Sequence, residues 1–154
     1  MRVFVITVSD TRTEVDDTGG ALARELCAAA GHEVAGSRIV KDEPAEVARL
    51  VRELAAARAA DVIVTTGGTG ISRRDSTYEA IASLLDKRLD GFGELFRMLS
   101  YQEIGSAAMM SRAVGGLHAG VAVFALPGSP AAVRLGLEKL VIPELSHVVF
   151  EKER

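Results

Sequence analysis

The chain has one cysteine among its 154 residues, Cys27, so it can form neither an internal disulfide nor a cysteine metal cluster. Cys27 falls within a helical pattern and reads as core filling. The three histidines, His32, His118 and His147, stand far from one another and from Cys27, and no zinc-ligand spacing is present. They read as structural or surface residues. No GxSxG elbow occurs, which disfavours nucleophilic hydrolysis. Basic residues are not in excess: 18 Lys and Arg face 21 Asp and Glu, for a net charge of -3, and no basic stretch exists to attract a nucleic-acid backbone. Long apolar runs are also missing. The opening MRVFVITVSD turns polar too early for a signal peptide, and no run approaches the roughly 18 residues of a membrane helix. Repeats, low-complexity tracts and linkers are absent. The expectation is a cytoplasmic protein with neither nucleic acid nor membrane as partner.

What is present suits a globular protein. Apolar residues make up 48% and charged residues 25%, and the length suits one domain spanning 1–154. Val3 to Val8 is β-branched and reads as a buried strand. Leu22, Leu26 and Ala29 recur at helical spacing from Gly20 to a stop at Gly31-His32. Glu33 to Val40 reads as a weaker strand. Pro44 then opens a helix whose inner face is Val47, Leu50, Val51 and Leu54. Asp61 to Thr66 has the pattern of a central parallel strand. Helices follow on Tyr78, Ile81, Ala82 and Leu85, and on Phe92, Leu95, Phe96 and Leu99 after Gly91. GSAAMMSRAVGG (105–116) reads as a packed loop or short helix, with Met109 and Met110 as gap fillers. Val121 to Leu126 is a last strand. Val133, Leu137, Leu140 and Val141 mark a C-terminal helix that Pro143 kinks or interrupts. This alternation implies a mostly parallel sheet with helices on both faces.

Ligands of such sheets bind beyond the carboxyl ends of the strands. Four segments follow strand ends directly: Ser9-Asp10, Lys41-Asp42-Glu43, Gly67-Gly68-Thr69-Gly70 and Pro127-Gly128-Ser129-Pro130. Parallel strands place all four on one rim. The paired glycines after Thr66 let main-chain N–H groups meet an anion where a Cβ would obstruct. The segment is neither a P-loop nor a GxGxxG fingerprint, and a ligand cradle and a tight strand-to-helix turn both remain open. Asp75, after Arg73 and Arg74, is either a helix cap or a residue that orients substrate or Mg²⁺. Asp42, two residues before Pro44, is either a cap or a Mg²⁺ ligand, since Mg²⁺ favours one or two carboxylates plus substrate phosphates. Arg112, beside Ser111, suits a phosphate or a structural salt bridge.

Taken together, VSDTR (8–12), DDTGG (16–20), TTGGTG (65–70), RRD (73–75), GFGELFRMLSYQEIG (91–105), SRAVGG (111–116) and PGSP (127–130) are more specific than any one of them. In this order and spacing the chain closely resembles the MoaB/Mog family of molybdenum cofactor biosynthesis over nearly its whole length, and its MoaB branch in particular. The resemblance implies a three-layer α/β/α sandwich and a homotrimer or homohexamer. It implies molybdopterin as substrate or ligand. In catalytic members the terminal phosphate of molybdopterin attacks the α-phosphorus of ATP with Mg²⁺. Asp75 matches the family's essential rim aspartate, and Asp42 an acidic position associated with metal and nucleotide. Ser9, Thr66, Gly67, Gly68, Thr69, Gly70, Ser111, Arg112, Pro127, Gly128 and Ser129 fall in the matching ligand-contacting segments.

Two functions fit this reading: a Mg²⁺- and ATP-dependent molybdopterin adenylyltransferase with Asp42 and Asp75 at its centre, and a carrier that binds molybdopterin without transfer. Asp10 at a strand end also suggests a phosphoacceptor receiver. That function needs an aspartate at the end of the central strand, where this chain has Thr65-Thr66.

Overall fold

Val3 and Val5 point to one side of the first strand and Phe4 and Ile6 to the other, and each pair enters a different apolar core. Strand β1 (Arg2–Val8) is thereby buried on both faces, as the period of two requires in a sheet covered twice. The computed structural model describes residues 1–154. After β1 come α1 (Thr18–Ala29), β2 (Glu33–Val40), α2 (Pro44–Ala56), β3 (Val62–Thr66), α3 (Thr77–Leu84), β4 (Lys87–Arg88) and α4 (Asp90–Ile104). A 3₁₀ segment (Gly105–Met110), β5 (Val114–His118), β6 (Val121–Leu126), α5 (Pro130–Gly136), a π turn (Leu137–Val141) and α6 (Ile142–Glu153) complete the chain.

The strands form one six-stranded sheet in the order β2-β1-β3-β6-β5-β4. The first four are mutually parallel, whereas β5 runs antiparallel to β6 and β4 antiparallel to β5. The two cores are similar in size, with 18 and 17 buried residues, so neither face of the sheet is left open. One core takes Ala23 and Cys27 of α1, Phe92 and Phe96 of α4 and Leu145 and Val149 of α6. The other takes Val47, Leu50 and Val51 of α2 and Ile81 and Leu84 of α3. The expected α/β/α sandwich with a mostly parallel sheet is therefore observed. No helix is long and apolar enough to cross a membrane.

The sequence reading missed the β4 and β5 edge. Residues 105–116, expected as a loop or short helix, are a 3₁₀ segment to Met110 and a loop to Ala113, as expected, and only Val114 to Gly116 enter β5. Gly115 and Gly116 argue for a turn by composition. In the sheet they are needed, because a Cβ on Gly115 would approach the Phe124 ring at 2.6 Å and one on Gly116 would overlap the Lys87 carbonyl oxygen. Near Pro143 the interruption takes the form of the π turn. Proline lacks the N–H that would close a regular turn there.

Candidate functional site at the carboxyl rim

Chain order reverses at β1: the chain leaves β1 for β2 on one side and returns to β3 on the other. The crevice beyond these strand ends is the switch point at which sheets of this kind bind ligands. All four expected rim segments meet there. The Ser9 N–H donates to the Val40 carbonyl at 2.8 Å, the Asp42 N–H to Asp10 Oδ1 at 3.1 Å, and the Gly67 N–H to the Leu126 carbonyl at 2.9 Å. A Cβ on Gly128 would lie 3.3 Å from the Gly67 Cα, so the third and fourth segments pack backbone against backbone.

The GGTG segment leaves β3 through two left-handed residues, Gly67 at φ +94° and Gly68 at φ +73°. A side chain on Gly67 would strike the Val8 carbonyl, and one on Gly68 the Thr77 hydroxyl. The N–H groups of Gly68, Thr69, Gly70 and Ile71 donate to no acceptor in the protein, so four successive main-chain donors are unpaired. The Thr66 hydroxyl is fully buried without a hydrogen-bond partner, as are those of Thr65, Thr77 and Ser111.

Asp42 is almost completely buried, 6% exposed, beside this segment. Its Oδ1 accepts from the N–H and hydroxyl of Ser76, at 3.1 and 2.7 Å. Its Oδ2 accepts nothing from the protein and lies 2.8 Å from where a Gly68 Cβ would sit. Asp42 therefore reaches across from β2 to hold the start of α3, where Ser76 is the N-cap residue but makes no capping bond of its own. Asp75 is half-buried and faces the next glycine, Gly70, with Oδ2 accepting from the Ser72 N–H at 2.9 Å. No three His, Cys, Asp or Glu side chains converge, so the rim offers a cation Asp42 Oδ2 rather than an all-protein cage.

The basic residues are differently placed. Arg112 donates through Nε to the Gly70 carbonyl and through Nη2 to the Asp75 carbonyl, both at 3.0 Å, and pairs with Glu79. Its guanidinium also lies over the Tyr78 ring, 5.2 Å from the centroid. Arg112 thus clamps the loop that carries Asp75. Arg74 bridges Asp10, at 3.0 and 3.2 Å, and Glu43, at 2.8 Å. Hydrogen bonding from Arg74, and then from the Asp42 N–H, holds the Asp10 carboxyl below the usual aspartate range.

Between β1 and the PGSP turn lies a cleft of about 250 Å³ lined by Thr7, Ser9, Arg12, Asp17, Thr66 and Gly128, among others. The Ser9 hydroxyl accepts from the Thr11 and Arg12 N–H groups, and Ser129 caps α5 by accepting from Ala132 at 3.2 Å. Pro127 links β6 to this turn. Sequence reasoning did not single out Thr7, Arg12 or Asp17. Asp17 is 4% exposed, receives the Thr7 hydroxyl at 2.6 Å and caps α1 through the Gly20 N–H at 3.0 Å. The signal for it was the cap spacing in Asp17-Thr18-Gly19-Gly20.

Comparison with known proteins bears on the family and the fold. The family model described as "Probable molybdopterin binding domain" matches residues 4–147. "Molybdenum cofactor biosynthesis protein B" of Bacillus cereus is 50% identical over 155 residues, covering 100% of this chain and 92% of that one. A crystal structure of a molybdenum cofactor biosynthesis protein B superposes with a TM-score of 0.96 at 51% identity, covering 99% and 96% of the two chains. The tungsten cofactor synthesizing protein MoaB of Pyrococcus furiosus superposes at 0.89 with 42% identity, covering 99% and 97%. The chain belongs to the MoaB branch of the MoaB/Mog family of molybdenum cofactor biosynthesis proteins and carries the family's molybdopterin-binding domain.

Proposed function

We propose that this protein binds molybdopterin at the carboxyl rim and adenylylates its terminal phosphate with Mg²⁺ and ATP. The observation that carries the reading is the free Oδ2 of buried Asp42 lying against Gly68, the first of four unpaired N–H donors. In the reaction a terminal phosphate oxygen of molybdopterin bonds to the α-phosphorus of ATP. The bond from that phosphorus to the oxygen bridging to the β-phosphate breaks, and pyrophosphate leaves with the electron pair. Such chemistry asks the protein mainly for alignment and for donors to the phosphate oxygens.

In this reading the N–H groups of residues 68–71 hold phosphate oxygens, and Asp42 Oδ2 is the protein ligand of Mg²⁺. When bound, the ion neutralises phosphate charge. Asp75, fixed by the Ser72 N–H and the Arg112 clamp, orients the reacting phosphates. Ser9, Thr66, Ser111 and the PGSP turn contact molybdopterin. The working assembly is a homotrimer or homohexamer, to be measured by sedimentation, and the compartment is the cytoplasm.

The test is pyrophosphate release from ATP and Mg²⁺, with and without molybdopterin, in wild type, Asp42→Asn and Asp75→Asn. The expected result is release that requires molybdopterin and collapses in both variants. A wild type that binds molybdopterin and releases nothing leaves the carrier function instead.

A further inference from the structure

Three guanidinium groups, of Arg73, Arg74 and Arg112, lie around the loop that follows β3, and their surroundings differ; a fourth, of Arg12, lines the cleft beside the PGSP turn and donates to the Asp16 carbonyl at 2.7 Å. Arg112 has its donors engaged by Gly70, Asp75 and Glu79. Arg73 is exposed, and no hydrogen bond positions it. Arg74 is both positioned and available. Its side chain is 54% exposed, and its bonds run only to Asp10 and Glu43, which are themselves solvent-accessible.

Ion pairs of that kind are weak, because water and salt compete for both partners. A polyphosphate carries more charge than either carboxylate and matches the planar fork of arginine. The backbone beneath Arg74 is pinned on its carboxyl side. The Asp75 carbonyl is held by Arg112 at 3.0 Å, and Ser76 is held by Asp42. The side chain can therefore exchange partners while the loop stays in place. Depth separates its role from that of Asp42, which is 6% exposed on the inner side of the same crevice.

We propose that Arg74 binds the β- and γ-phosphates of the nucleotide, and that Asp10 and Glu43 hold it in waiting at the outer rim until nucleotide arrives. This rests on the nucleotidyl-transfer reading and adds to it the residue that receives the leaving pyrophosphate. Arg74 is a binding residue here, and Asp10 and Glu43 are its competitors.

The experiment is calorimetric titration of ATP with Mg²⁺, of AMP and of molybdopterin into wild type, Arg74→Ala, Arg74→Lys and Glu43→Gln. Losing charge-assisted hydrogen bonds should weaken ATP binding about 10- to 100-fold in Arg74→Ala and less in Arg74→Lys. AMP and molybdopterin affinities should stay within about twofold, inside the reach of a surface change. Glu43→Gln removes one competitor and should tighten ATP binding about two- to fivefold, the scale of an exposed ion pair. A purely structural latch gives the opposite sign: Glu43→Gln would loosen the loop and weaken ATP and molybdopterin together. That result, unchanged ATP affinity in Arg74→Ala, or an equal loss for AMP overturns the proposal alone. A wild type that binds molybdopterin and no ATP overturns the nucleotidyl-transfer reading with it.

Discussion

Asp42 Oδ1 accepts two hydrogen bonds from Ser76, 2.7 Å from the hydroxyl and 3.1 Å from the N–H, across 34 residues of sequence. The second oxygen of the same carboxylate accepts none and lies against Gly68. One side chain thus anchors α3 with one atom and leaves the other without a protein donor. Mutation tests the anchoring role.

Asp42→Asn keeps an acceptor for Ser76, whereas Asp42→Ala leaves the Ser76 N–H unpaired in a half-buried site and its hydroxyl with only the backbone carbonyl of residue 42, at 3.5 Å. The alanine variant should lose about 1–3 kcal/mol of stability, the cost of stranding such donors. The asparagine variant should stay within about 1 kcal/mol of wild type. Urea unfolding followed by circular dichroism checks both. Equal losses would mean that Ser76 finds water instead.

Gly68→Ala combines a left-handed backbone at φ +73° with a methyl group that overlaps the Thr77 hydroxyl and comes within 2.8 Å of Asp42 Oδ2. Strain at φ > 0 costs about 1 kcal/mol or more by itself. The expected outcome is a folded protein, destabilised by about 1–3 kcal/mol, whose molybdopterin affinity falls while its far-ultraviolet spectrum is unchanged. Wild-type affinity in this variant would show that the ligand does not use this turn.

Arg74, chiefly by hydrogen bonding, lowers the Asp10 pKa in the folded protein. Folding therefore favours the ionised form. Its contribution is present above the pKa of the unfolded aspartate and disappears as pH falls through the lower folded value. At neutral pH the Arg74 bridge should be intact. Carboxyl-carbon NMR should show Asp10 titrating below the ordinary aspartate range in wild type and moving upward in Arg74→Ala. An unmoved midpoint would exclude Arg74 as the cause.

Burial pushes the Cys27 thiol up to about 11, and the residue is 1% exposed. The thiolate is the reactive form, so the native protein should resist a thiol reagent at pH 8 and react promptly in denaturant. Rapid native modification would reveal opening of α1 from the sheet.

The central elements were legible because their patterns are local. Val62–Thr66 is a continuous run of β-branched residues, and Val47, Leu50 and Val51 form a helical stripe, so each states its element without help from the rest of the chain. The rim was legible for the same reason: parallel strands bring the segments after their carboxyl ends together whatever the loops contain. The edge strands were not. Val114–His118 has two glycines in five residues and becomes a strand only by pairing with β6 across a turn at Ala119 and Gly120, both at positive φ.

The sequence alone determined the order of the main elements, the family and which loops meet at the carboxyl rim. Tertiary structure decided what each polar side chain does there. Asp42 holds Ser76, Arg112 clamps the Asp75 loop, Asp17 pairs with Thr7, and Arg74 rests on Asp10 and Glu43. Periodicity is a property of neighbours along the chain, whereas hydrogen-bond partners 10 to 64 residues apart are chosen only when the sheet brings their strand ends together.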